Sequence, residues 1–513
     1  MNHVVILPIL VPLFAAVAML VLRRADSRTI GLGAVLMQAA IAVVLLMLAG
    51  DDAIRVYRLG DWPAPYGIVL VLDRLSALMV AVTVVLGLAA LLHAASGGAA
   101  SVDRAGRHFH PLFQLQLAGL NGAFLTGDLF NLFVFFEILL LASYALLMHG
   151  GGRARARAGI AYVVLNLTGS ALFLIALGLI YGTLGTLNMA DIAVVMAGTL
   201  PADQALVRTA AALLVAVFLL KAALLPLSFW LPHVYAAAGA PVAALFAVMT
   251  KVGIYALLRV SVTSFGEAPA TTGLLDDWLP VLALLTIALG TMGALAAHHL
   301  AVLVANLVLI STGTLLVALA PGDATATAAA LYYLPHTTLV AAGMFLLAGT
   351  LARVRGSIGD TIDNGPFFAH RLLFGGVFLV LAVAVSGMPP LSGFLGKIMV
   401  MQALRDASYG AWTWAALLVS GLVVALVLAR AASALFWESG NAENAPEAVA
   451  PSATGRRAIV ALLLLAAGSP VLTLAAAPVA AYARATADQL HARTPYLHAV
   501  LGAQPDVQRE RRP

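Results

Sequence analysis

Phe218-Leu-Leu-Lys221-Ala-Ala-Leu-Leu-Pro226-Leu-Ser-Phe-Trp-Leu-Pro232 lies within an apolar run over 205–236. That run is too long for one straight bilayer crossing, which takes about 20 residues. It also puts proline where a helix needs an N–H, so Pro226 orphans the carbonyl of Ala222. A second run, 371–402, contains Ser386-Gly-Met-Pro389-Pro390-Leu-Ser-Gly-Phe-Leu-Gly-Lys397, where Pro389 and Pro390 orphan the carbonyls of Val385 and Ser386. Free carbonyls at membrane depth require protein or water partners. Both runs share Pro-Leu-Ser, a nearby phenylalanine and a lysine within two turns.

The rest of the chain sets these two breaks in a helical membrane protein. With 513 residues, 62% of them hydrophobic and 10% charged, and a mean hydropathy of +1.00, the composition excludes a soluble domain of useful size. About fourteen apolar segments can be placed, over 3–22, 30–49, 69–93, 111–127, 128–149, 158–182, 205–236, 240–262, 277–297, 299–320, 326–350, 371–402, 411–437 and 457–482. The first has no basic region before it and no small-residue cleavage site after it, and reads as a retained helix. The expected fold is all-α and polytopic, with segments seven and twelve broken. The breaks lie five segments apart, the weak internal symmetry of inverted repeats; two unrelated proline kinks are the competing reading.

Arginines mark one face. Arg23, Arg24 and Arg28, then Arg104 and Arg107, Arg153, Arg155 and Arg157, Arg353 and Arg355, and Arg456 and Arg457 all follow odd-numbered segments. The positive-inside rule makes those loops cytoplasmic and places the N-terminus outside. Arg509, Arg511 and Arg512 disagree with that topology for the C-terminal tail. Residues 438–457 are the one linker-like stretch. The sequence pI near 9.5 comes from these loop arginines, which face anionic lipid rather than nucleic acid, since no basic stripe with interleaved aromatics is present. The absence of cysteine excludes disulfides, cysteine-ligated iron–sulfur clusters and thiolate zinc sites in this chain. No cofactor or metal site is expected.

Only three lysines occur, Lys221, Lys251 and Lys397, and each lies within an apolar segment, while the 25 other basic side chains are arginines. Arginine stays charged in proteins, whereas lysine is the cation that burial can make release its proton. A charged group near the bilayer centre costs at least about 2.5 kcal/mol and normally marks an ion path. Two further residues qualify: Glu137, in Phe133-Val-Phe-Phe-Glu137, and His336, in Leu334-Pro-His336-Thr-Thr-Leu-Val340. Together the five form a candidate proton relay, in which Glu137 gates by holding or releasing Lys221 and a histidine stands between lysines. Plainer readings compete at each position. Glu137 and Lys221 form a static ion pair, Lys251 and Lys397 snorkel to an interface, or His336 is a hydrogen-bonded helix contact.

Three stretches carry a resemblance. Thr126-Gly-Asp-Leu-Phe-Asn-Leu-Phe-Val-Phe-Phe-Glu137, Ala243-Ala-Leu-Phe-Ala-Val-Met-Thr-Lys251-Val-Gly-Ile-Tyr255 and Gly387-Met-Pro-Pro-Leu-Ser-Gly-Phe-Leu-Gly-Lys397 resemble the antiporter-like subunits shared by complex I and the Mrp-type cation/proton antiporters. The wording around Asn131, Phe136 and Lys251 is most similar to the D-type subunits of the Mrp antiporters, also called the Pha type. The resemblance implies fourteen helices with inverted repeats in segments four to eight and nine to thirteen. It divides the chain into 1–110, 111–264, 277–437 and 457–513. It implies relay roles for Glu137, Lys221, Lys251, His336 and Lys397, and work inside a bacterial cell-membrane complex with other hydrophobic subunits, exchanging protons for Na+ or K+. Many relatives carry a lysine four residues after the segment-eleven histidine; here that position is Val340, so the link from His336 to Lys397 falls to water, Thr337 or Thr338. A second reading is a proton-pumping membrane subunit of a quinone oxidoreductase or membrane-bound hydrogenase; a third is an inert scaffold, against which three mid-membrane lysines argue.

Overall fold

Short polar residues cap the starts of several helices, and apolar runs decide how far the helices go. The computed structural model describes residues 2–22, 26–96, 108–266, 268–365, 368, 370–437 and 455–502. Arg23, Arg24, Arg104, Arg107, residues 438–454 and the arginines of the tail lie outside the described residues. Helix α1 (Leu7–Val21) leads to α2 (Ser27–Ala49), whose first turn is capped by the Asp26 carboxylate accepting from the Arg28 N–H. Strands β1 (Arg55–Arg58) and β2 (Val69–Leu72) then pair antiparallel, with Arg55 opposite Leu72. The first four residues of expected segment three are therefore strand. The helix α3 (Arg74–Ala94) starts only at Asp73, which forms a reciprocal capping box with Ser76.

Next come α4 (Phe109–Leu125), α5 (Leu129–Met148) and α6 (Arg153–Leu184), followed by a short α7 (Met189–Ala197) that hydropathy alone does not announce. Segment seven is broken as its proline requires. Helix α8 (Pro201–Ala222) stops at Ala223, which takes a left-handed conformation, and α9 (Trp230–Ala237) begins beyond Pro226. At the break, the N–H of Leu225 donates to the Thr286 hydroxyl at 3.0 Å. Segment eight also divides, into α10 (Ala240–Phe246) and α11 (Met249–Leu258), and ends in a π-helical turn over Arg259–Phe265. Helix α11 is buried along its whole length, and exposure returns only at Ser261 and Val262 of the π-helical turn.

The second half contains α12 (Leu279–Leu295), α13 (Leu300–Leu319) and the long α14 (Ala324–Val354). Segment twelve breaks between α15 (Arg371–Ser386) and α16 (Ser392–Ala403). Then follow α17 (Gly410–Ala432), α18 (Arg456–Leu474), α19 (Ala476–His491) and α20 (Arg493–Leu501). Segment fourteen thus stops at Leu474; the amphipathic α19 turns aside to pack on α14 and α3, with Tyr482 donating to the Arg74 carbonyl at 2.9 Å.

Among the described residues eleven helices are long and apolar enough to cross a membrane, and α4, α12 and α15 are shorter helices within three further expected segments. The fold is all-α and polytopic apart from the one hairpin. Large apolar side chains such as Met47, Leu372 and Leu474 point outward on the bundle periphery, as a lipid-facing surface requires. The arginine-bearing ends share a face: Arg155 donates to the Ala237 carbonyl, His93 pairs with Thr350 near Arg353, and Gly455 packs on Ser96. The β-hairpin, α7 and α20 cover the other face, joined through Leu70 to Thr126 and Asp128 to Asn188.

Candidate proton-relay site

Of the five candidate relay residues the lysines lie beside broken helices, while Glu137 lies on an unbroken one. Glu137 lies mid-way along α5, half-buried, and its carboxylate accepts from the hydroxyl of Ser170 on α6. Lys221, in the last turn of α8, does not form the expected ion pair with Glu137. Its Nζ donates to Asn166 Oδ1 at 2.9 Å, while Asn166 Nδ2 donates to the Tyr162 carbonyl at 2.9 Å. The second bond fixes the amide so that its oxygen faces the lysine. Asn166 and Ser170 are one turn apart on the same face of α6, so that helix stands between carboxylate and lysine with a polar group for each.

Lys251 is fully buried on α11. Its Nζ donates to the Thr250 hydroxyl at 3.2 Å and to the Ser311 hydroxyl of α13 at 3.3 Å. Ser311 in turn donates to the Val308 carbonyl at 2.8 Å, which leaves its lone pairs for the lysine. The helix carrying Lys251 lies against the first break because residue 253 is glycine. A Cβ there would meet the Ala222 backbone nitrogen at 2.6 Å and the Phe218 carbonyl at 2.7 Å. One turn beyond Ser311, Thr314 stands beside Tyr333 of α14, which also neighbours Thr337.

His336 is buried, and its Nδ1 is 2.8 Å from the Ser392 hydroxyl at the start of α16. Ser392 is also 2.8 Å from the Ser469 hydroxyl of α18. Lys397, on α16, donates from Nζ to the Ser386 carbonyl at 2.9 Å. That carbonyl is one of the two that Pro389 and Pro390 orphan, so the lysine satisfies the break that accompanies it, and a cation at a helix C-terminus also suits the helix dipole. Thr338 donates instead to the Leu334 carbonyl and Thr337 lies against Tyr333, so the group next to His336 is Ser392, which the sequence did not single out.

All three lysines therefore rest on neutral oxygens. An amide, hydroxyl or carbonyl oxygen can accept from either an amine or an ammonium, so these partners serve both protonation states, whereas a fixed carboxylate strongly favours the ammonium. Among the described residues no cluster of acidic and histidine side chains suits a metal ion. Asn166, Ser170, Ser311, Thr314 and Ser392 were missed because uncharged polar residues are common in membrane helices; the signal was their one-turn spacing on α6 and α13.

The motif stretches divide between packing and chemistry. Asp128 caps α5 by accepting from the Asn131 N–H at 2.8 Å, Asn131 Nδ2 donates to the Thr126 hydroxyl, and Gly127 fits against Val69 and Val71 of the hairpin. Residues 126–426 match the family described as NADH:quinone oxidoreductase/Mrp antiporter, TM. A probable K(+)/H(+) antiporter subunit of the D type, from Rhizobium meliloti, is 41% identical, with 98% of each chain covered. The chain belongs to this family. A Na(+)/H(+) antiporter subunit, also of the D type, from Bacillus subtilis is 35% identical over 98% of this member and 100% of its own length. Among solved structures, a chain of the Mrp complex from Dietzia sp. superposes with a TM-score of 0.84 at 26% identity, covering 98% of this chain and 99% of its own. A chain of the membrane-bound sulfane sulfur reductase, an archaeal respiratory membrane complex, superposes with 0.87 at 26% identity, covering 98% and 100%. This family member thus shares its fold with both antiporter and respiratory assemblies.

Proposed function

We propose that this chain is the proton-translocating, D-type subunit of a multisubunit Na+(K+)/H+ antiporter of the bacterial cell membrane, and a transporter component rather than an enzyme. Its relay comprises Glu137, Lys221, Lys251, His336 and Lys397. The observation that carries the reading is the row of buried lysines on neutral acceptors, each at or beside a helix break. Protons pass laterally, with Lys221 alternating between Asn166 and Glu137. When Glu137 draws the ammonium away from Asn166, the pair holds a proton; when it lets go, the lysine returns to the amide and passes the proton toward Lys251. The chain is read as 1–110, two inverted repeats over 111–264 and 277–437, and 457–513, supported by equivalent breaks at α8/α9 and α15/α16.

Fold similarity alone does not separate this from a proton pump in a redox complex, because the two superpositions are nearly equal. The antiporter reading is supported by identities of 41% and 35% to D-type antiporter subunits matched over nearly their whole lengths, while the solved Mrp and sulfur reductase chains stand equally far away at 26% each. The test is cation-dependent pH change in everted vesicles carrying the whole complex. Glu137→Ala is expected to abolish it while the complex still assembles, and retained exchange would refute the switch. Mass spectrometry of the gently solubilised complex is expected to find small hydrophobic antiporter subunits; flavin or iron–sulfur subunits would favour the redox reading.

A further inference from the structure

We propose that the open cavity on the hairpin face is the outer access route to Lys251, held shut by a plug of four leucines, Leu258, Leu315, Leu319 and Leu334. The inference rests on the relay reading of Lys251. The cavity measures about 1960 Å³ and is walled by the π-helical turn at Ser261 and Val262, by Asp191 of α7 and by Arg493 at the start of α20. Its inner wall includes Leu258 and Leu319. The same two leucines, with Leu315, Leu334 and Tyr255, line a second cavity of about 10 Å³. That volume is at the lower limit for one water, and a water there needs two to four polar partners where the side chains present are apolar apart from Tyr255.

Helical spacing aligns these cavities with the relay. On α13, Leu319, Leu315 and Ser311 follow at intervals of four residues on one face, which puts the vestibule wall about 12 Å and the small cavity about 6 Å along the helix from Ser311. On α11, Leu258, Ile254 and Lys251 share the corresponding face. On α14, Leu334 adjoins Tyr333, which stands beside Thr314. Between Lys251 and the vestibule these helices therefore present apolar side chains, Tyr255 apart. A dry apolar constriction of this kind interrupts any water chain and opens by wetting.

Buried charges fix the plug. Arg259, next to Leu258, donates two hydrogen bonds to Asp73, at 2.5 Å and 2.8 Å, and its guanidinium packs over the rings of Tyr255 and Tyr496. Tyr255 in turn donates to the Phe124 carbonyl at 2.8 Å. The relay uses none of these groups. They pin the outer end of α11 to α3, α4 and α20, and so hold Leu258 in register with Leu319.

Because the chain has no cysteine, single substitutions report access directly. In right-side-out vesicles bearing the whole complex, a membrane-impermeant cationic methanethiosulfonate is expected to modify Ser261→Cys and Val262→Cys. Modification should lower exchange driven by an imposed cation gradient at least about tenfold, since a fixed cation in the mouth repels the transported one. Ser357→Cys, on the arginine-bearing face, should react only in everted vesicles. No reaction at positions 261 and 262 from outside, or reaction with exchange unchanged, would overturn the proposal. Exchange retained by Glu137→Ala would instead defeat the relay reading, on which the labelling pattern does not depend.

Discussion

Lys221 Nζ donates to Asn166 Oδ1 at 2.9 Å, and one turn further along α6 Ser170 holds Glu137. The carboxylate and the lysine that the sequence pairs directly are thus kept apart by neutral groups on a third helix. An ion pair held permanently would trap the proton; a neutral rest position lets the lysine return it.

Asn166→Asp replaces the neutral acceptor with a permanent anion and should fix Lys221 as an ammonium. Antiport in everted vesicles is expected to fall at least about tenfold, the effect of one unit of proton affinity. Complex assembly on a native gel should be unaffected.

Lys397→Arg and Lys251→Arg each retain a positive charge and hydrogen-bond donors but cannot release a proton. Both variants are expected to assemble and to lose exchange. Wild-type rates in either would show that the charge, rather than its loss, is what the position supplies.

Gly393 lets the start of α16 approach α15 and His336. A Cβ there would collide with the Ala384 carbonyl and lie 2.8 Å from His336 Nε2. Gly393→Ala should destabilise the chain by about 1–3 kcal/mol, read as lower thermal stability of the detergent-solubilised complex. Gly376→Ala, where nothing stands within 4 Å, should leave it unchanged.

Asp73→Asn leaves the Arg259 guanidinium buried without its counter-charge, and the expected loss is about 3–5 kcal/mol. Burial alone pushes the Asp73 carboxyl up, but the attraction and hydrogen bonds of Arg259 outweigh it and hold the group below its ordinary 3.8. A carboxyl depressed on folding contributes stability that is fully present above its unfolded value and lost as pH falls through the folded one. Wild-type thermal stability should therefore decline as pH drops below about 3.8, and Asp73→Asn should flatten that decline.

Much of this was legible in the sequence because membrane insertion imposes local rules. Apolar length gave the helices, and proline positions gave the breaks at α8/α9 and α15/α16, since a missing N–H acts on its own carbonyl four residues back. What local rules did not show was where a segment turns aside. Residues 69–72 are as apolar as the helix after them, yet become strand because β1 offers a pairing edge; residues 476–482 read as the end of segment fourteen, yet belong to α19, which covers α14 and α3. The buried Asp73–Arg259 pair escaped notice because 186 residues separate its members.

By itself the sequence determined the all-α membrane-spanning class and the two helix breaks, and it singled out five ionisable residues within apolar segments as the candidate relay. Only the tertiary structure decided what those residues touch. A lysine's partner is whatever oxygen lies within about 3 Å of its Nζ, and that depends on how helices distant in the chain pack together. Packing placed Asn166 rather than Glu137 at Lys221, Ser311 at Lys251, and Ser392 rather than a threonine at His336.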